Sequence, residues 1–148
     1  MGLDLLYGAM AALVGALIPL QTGANATIRM IFGHPAYAGI VNFSVGAIVI
    51  FLYALVAPLP VPNAQQINRV PWWGLLGGVV GVIYVLTVSM AARRLGATVL
   101  LVLVLTGQIV SSLICDQFGL LGFPRSPLTM SKLVGLGLVV LGVAVMRR

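Results

Sequence analysis

The chain has 148 residues, 61% of them hydrophobic and only 7% charged, with eight Lys or Arg and two Asp or Glu. A soluble domain carries about a quarter charged residues, and it needs far more polar side chains than this to cover its surface. These proportions exclude a soluble enzyme, a nucleic-acid-binding module and a disordered tail, and define an integral membrane protein.

The formal net charge of +6 is not a nucleic-acid footprint, because that requires Lys and Arg gathered on one face. Arg29, Arg69, Arg93, Arg94, Arg125, Lys132, Arg147 and Arg148 instead fall near the ends of apolar runs. Headgroups and the orientation rule account for them there. Cys115 is alone, so neither an intramolecular disulfide nor a cysteine-rich metal cluster is expected. One His and two Asp leave metal ligation and paired-carboxylate chemistry almost without material. No metal, cofactor or catalytic residue is expected.

A helix crossing a hydrocarbon core of ~30 Å needs about 20 apolar residues. Five stretches qualify, at 8–28, 36–56, 72–91, 95–115 and 130–146, predicting an all-α protein with five transmembrane helices in a single domain. In the first, Ala24-Asn-Ala26 has the small-x-small form of a cleavage site. No Lys or Arg precedes Arg29, however, so the helix is expected to be retained. Gln21, Asn25 and Arg29 recur there at i, i+4 and i+8, and so share one face. Pro19, just before them, removes a backbone donor and frees the Gly15 carbonyl, which favours a kink. His34, preceding Pro35, is expected in a solvated loop.

The second stretch carries Asn42 and Ser44, and Pro58, Pro60 and Pro62 then open an extramembrane linker over 57–71. Trp72 and Trp73 begin the third stretch, where indoles favour the interface. Gly74, Gly77, Gly78 and Gly81 interlock two GxxxG spacings on it, ahead of Tyr84 and Thr87. Gly8/Ala12 and Ala11/Gly15 repeat the small-residue spacing on the first helix. Such faces allow close helix approach in lipid, whether the bundle is static or moves. Ala92-Arg-Arg-Leu95 reads as a tight turn into the fourth stretch, where Gln108, Ser112 and Asp116 again run i, i+4, i+8. Phe123-Pro-Arg-Ser-Pro127 punctuates the way to the fifth.

Polar groups in a span cost free energy unless partnered, so their depth is informative. From midpoints near 18, 46 and 82, those of the first three helices fall toward the side opposite the N-terminus. Those of the fourth run toward the N-terminal side. The two sets do not meet in one copy, but they do in an antiparallel dimer. Inversion sets Gln108, Ser112 and Asp116 at the depth of Gln21, Asn25 and Arg29, with an Arg29–Asp116 pair between subunits as the expectation. The N-terminal side receives Arg69, Arg125 and Lys132, and the opposite side the other five cations. So weak a bias is compatible with insertion in both orientations. The alternative for all these side chains is interhelical glue, worth ~0.6 kcal/mol each on average. No GxGxxG, Walker, HExxH or GxSxG pattern occurs, and no nucleophile sits with a plausible base, so no enzymatic activity is expected.

Gly15-Ala-Leu-Ile-Pro-Leu-Gln-Thr-Gly-Ala-Asn-Ala26 with Arg29, then Asn42-Phe-Ser-Val-Gly46, resembles the YdcZ-like family of the drug/metabolite transporter superfamily. The resemblance continues through Trp72-Trp-Gly-Leu-Leu-Gly-Gly78, Tyr84, Arg94-Leu-Gly-Ala97, Gly107-Gln108 and Asp116-Gln-Phe-Gly119, covering essentially the whole chain. It implies a five-helix bacterial inner-membrane protein, half the size of ten-helix relatives with two inverted halves. Such a protein would work as an antiparallel homodimer or with an oppositely oriented paralogue. Small multidrug exporters carry a membrane-embedded glutamate in their first helix; this chain has none, and offers Gln21 and Asn25 there. Neutral amides do not exchange protons, so any proton coupling would have to use Asp116, Asp4 or His34.

The expectation is a transporter moving a small solute through a pathway at a dimer interface in the bilayer. Gln21, Asn25, Asn42 and Ser44 would offer hydrogen bonds and Tyr84 an aromatic wall. Arg29, Gln108, Ser112 and Asp116 would serve the pathway or the interface, with Pro19, Gly77, Gly78 and Gly81 for packing and movement. The rival readings are a non-transporting scaffold or accessory subunit and a lipid-headgroup flippase.

Overall fold

The computed structural model describes residues 2–146, which are helical throughout apart from turns and extended connections. Arg147 and Arg148, counted above for charge bias, lie outside the described residues. The chain divides into two compact units, one through Arg94 and one from Leu95.

The first unit opens with helix α1 (Gly2–Phe32). Asp4 in its first turn and Arg29 in its last suit the two ends of the helix dipole. The helix runs unbroken through Pro19. It ends where Gly33 takes φ 77°, a left-handed conformation that only glycine adopts freely. At 31 residues, it is longer at both ends than the apolar run at 8–28. Hydropathy marks only the part immersed in hydrocarbon, while backbone hydrogen bonding continues into the headgroups.

Helix α2 (Pro35–Val56) begins with proline at its first position, where the missing N–H costs nothing. His34, expected in a solvated loop, is exposed in the bend between the two helices and also serves as the N-cap of α2: Nδ1 accepts from the Ala36 N–H at 3.2 Å. The helix stops at Ala57, the residue before Pro58. Inside the linker lies a short helix, α3 (Ala64–Asn68), that the sequence reading did not anticipate. A capping box makes it: Asn63 Oδ1 accepts from Gln66 N–H and Gln66 Oε1 from Asn63 N–H, each at 2.9 Å.

A 3-10 turn (Trp72–Leu75) leads into α4 (Leu76–Leu95), giving one apolar span of 24 residues. The turn expected at Ala92–Leu95 is a correction. Those residues form the last turn of α4, and the break falls on Gly96 at φ 75°. Two arginines at a helix C-terminus complement its dipole, and only the glycine accepts the reversed φ.

In this unit the buried residues are Thr22, Asn25 and Ala26 of α1, Ala38 and Gly39 of α2, and Val85, Val88 and Ser89 of α4. All lie in the last third of α1, the first turns of α2 or the middle of α4 and just beyond it. α1 packs on α2, and the Phe43 ring of α2 reaches Gly81 of α4. Large apolar side chains elsewhere are exposed, Leu5 at 77% and Leu75 at 73% among them.

The second unit pairs α5 (Ala97–Phe118) with α6 (Met130–Met146). Gly119, at φ 64°, caps α5 and turns the chain. The return is tied to the end of α5. Ser126 N–H donates to the Asp116 carbonyl at 2.8 Å, and Leu128 N–H to Gln117 Oε1 at 2.7 Å. Arg125 Nε donates to the Gln117 carbonyl at 3.2 Å.

Among the described residues four helices, α1, α2, the Trp72–Leu95 segment and α5, are long and apolar enough to cross a membrane. The fifth predicted span, α6, keeps its predicted bounds but is a shorter apolar helix of 17 residues. Its length, about 25 Å, falls at the low end for crossing.

Candidate functional site

The polar residues of unit one gather around the last third of α1. Gln21 Nε2 donates to Asn42 Oδ1 of α2 at 3.1 Å, joining two of the residues picked out in the sequence. Mutual bonding is how two amides remain in an apolar span, since each leaves fewer polar atoms facing lipid. Together they line an open groove of about 500 Å³, otherwise walled by Phe43, Val45, Gly46, Ala47 and Ile50.

One turn on from Gln21, Asn25 is 2% exposed and its Nδ2 has no hydrogen-bond partner. Thr22, also 2% exposed, has an unpartnered Oγ1, and the half-buried Arg29 an unpartnered Nε. Sequence reasoning missed Thr22. The sequence stripe is 21, 25 and 29, whereas the buried residues are Thr22, Asn25 and Ala26 with Arg29 half-buried beside them, a face rotated so that Gln21 sits at its rim. The i, i+3, i+7 spacing was the available signal. Thr27, Ser89, Thr106 and Ser112 all turn their hydroxyls onto carbonyls of their own helices. Thr22 does not.

Ser44 is exposed and lines a second groove of about 420 Å³ with Ala36, Gly39, Ile40, Phe43, Val82 and Leu86. Phe43 therefore borders both grooves. Tyr84 is half-buried and lines neither of these two. Of the α4 glycines, Gly81 meets the Phe43 ring, whereas a Cβ at Gly77 or Gly78 would find nothing within 4 Å. Pro19 is exposed, in mid-helix.

In unit two, Gln108 is exposed, and the Ser112 hydroxyl donates to the Ile109 carbonyl at 2.9 Å. Asp116 has a partner within its own chain, Lys132, whose Nζ lies 3.6 Å from Oδ2. The same ammonium donates to Ser126 O at 3.2 Å and Oγ at 2.9 Å. Among the described residues no three His, Cys, Asp or Glu come together as metal ligands.

Several long apolar helices, polar groups paired or buried inside the spans, and open apolar flanks define a multi-pass membrane protein. The chain belongs to the DMT_YdcZ family, described as "Putative inner membrane exporter, YdcZ", whose model matches residues 6–145. Comparison with curated proteins and with solved structures gave no match. Family and helices together make it a membrane transporter of the inner membrane.

Proposed function

We propose that the protein moves a small solute along the groove at Gln21 and Asn42, with the pathway completed at the interface of an antiparallel pair of chains. The observation that carries this reading is the Gln21–Asn42 hydrogen bond at the edge of an open groove, beside the buried amide of Asn25. One exchangeable bond is cheap to break, about 0.6 kcal/mol in a membrane bundle, so the two amides can re-pair with a solute. Ser44 serves the adjoining groove, and Gln108 is left to the subunit interface. Inversion would set Arg29 at the depth of the partner subunit's Asp116. The protein acts without bond chemistry, as carrier rather than enzyme.

The test replaces Gln21 and Asn42 together by leucine and compares spent media of cells carrying wild type, variant or empty vector at equal membrane abundance. A solute enriched by wild type should fall to the vector level in the variant. Equal media from wild type and vector would instead leave the scaffold reading.

A further inference from the structure

The three unpartnered buried atoms of α1 share a chemical character. Arg29 Nε–H only donates, the Thr22 hydroxyl has a proton to give, and Asn25 presents its NH2 group. An amide can be turned end for end, but a guanidinium cannot become an acceptor. Thr22, Asn25 and Arg29 are spaced i, i+3, i+7 and lie on one face of the helix. Both uncharged members are almost wholly enclosed.

The charge of Arg29 has no local answer either. In the chain through Arg94 the single acidic side chain is Asp4, 25 residues earlier on the same helix and so about 37 Å away along its axis. Arg29 makes no ion pair among the described residues. The negative end of the α1 dipole offsets part of the charge, but it leaves Nε without an acceptor. A cationic ligand is repelled here and an apolar one leaves three donors unmet. A group that only accepts, and carries negative charge, meets all of them.

We infer that Thr22, Asn25 and Arg29 form an occluded site for an oxyanion, the carboxylate or phosphate of a solute or of a lipid headgroup. It is entered from the groove when the Gln21–Asn42 pair opens. This deepens the transport reading and rests on it. Gln21, one turn before Asn25, is at once the rim of the site and a wall of the groove. The pair is therefore the barrier between groove and donors.

The experiment uses the full chain, purified in a neutral maltoside detergent and stripped of lipid, with thermal unfolding as readout. Sodium benzoate, inorganic phosphate and phosphatidylglycerol micelles are the probes, against sodium chloride at matched ionic strength and phosphatidylcholine. A saturable rise in midpoint with benzoate or phosphate is expected, with apparent affinity falling about tenfold or more in Arg29→Gln. Thr22→Val, nearly isosteric, should weaken it too and serves if Arg29→Gln fails to fold. A rise with phosphatidylglycerol alone, lost in the same variants, supports the site and makes the headgroup its source. No rise with any anion, or equal rises in wild type and both variants, overturns the proposal. So does an Asp116→Asn variant that reproduces Arg29→Gln, because the partner subunit's carboxylate is then what the guanidinium meets. Flux of a neutral or cationic solute without anion binding removes the oxyanion class and keeps the transporter. Anion binding without flux of any solute does the reverse.

Discussion

Gly77 and Gly81 occupy equivalent places in the GxxxG pattern of α4, yet their surroundings differ. A Cβ at Gly81 would lie 3.1 Å from Phe43 Cζ, whereas one at Gly77 meets nothing within 4 Å. Gly81→Leu should therefore destabilise an isolated chain by about 1–3 kcal/mol through overpacking, read as unfolding in detergent. Gly77→Leu should leave that stability nearly unchanged. If Gly77 faces a second copy, its leucine variant should instead lower dimer cross-linking in membranes. Gln21 allows a similar separation. Gln21→Leu removes the donor to Asn42, and the stability loss should be about 1 kcal/mol or less, while solute export falls to the vector level. A loss of several kcal/mol with export intact would make the pair interhelical glue. Thr22 shows what the sequence conceals at this scale. A threonine in a membrane helix commonly bonds back to its own backbone, and only the folded chain reveals one that does not.

At the scale of elements, the ends of helices carry most of the local chemistry. The α5–α6 return hangs on Asp116 and Gln117: a carbonyl and a side-chain oxygen there accept from Ser126 and Leu128. Gln117→Leu leaves the Leu128 N–H without its acceptor and should cost about 1–3 kcal/mol. Asp116→Asn should cost about 1 kcal/mol or less, because both partners of its ion pair with Lys132 are about a third exposed. Chemical unfolding of the two variants side by side checks that order; the reverse would make the ion pair the principal tie. Apolar runs located the long apolar helices, and the shorter α6 to the residue, since a hydrocarbon surrounding demands such runs. The ends of α1 and α4 lay beyond those runs. Their limits are set by Gly33 and Gly96, whose positive φ no hydropathy window registers. The Asn63–Gln66 capping box was legible as a motif and passed unread, because Pro58, Pro60 and Pro62 made the whole linker look irregular.

For the whole molecule, orientation in the membrane is the property on which the dimer proposal depends. The linker helix α3 is exposed along its length, so a reporter there disturbs no core. With Cys115→Ser in place, Gln65→Cys should be labelled from outside intact cells in about half of the molecules if the chain inserts both ways; the weak cationic asymmetry permits that. Permeabilisation should then complete the labelling. Labelling of all or none from outside fixes one orientation, and an antiparallel homodimer is then excluded.

What the sequence determined by itself was the solvent, the helical class with the approximate place of its long apolar helices, and the family. A chain with ten charged side chains in 148 residues belongs in lipid, where its backbone is satisfied only by helices or a closed barrel, and apolar runs of about 20 residues choose the helix. The motif around Gln21, Asn25 and Arg29 was specific enough to carry the resemblance. Tertiary structure alone decided which polar side chains meet. It paired Gln21 with Asn42, gave Asp116 a lysine of its own chain, and left the donors of Thr22, Asn25 and Arg29 together on one buried face. The reason is geometric: helical spacing says which residues share a face, but the rotation of that face toward its neighbours is set by packing between helices.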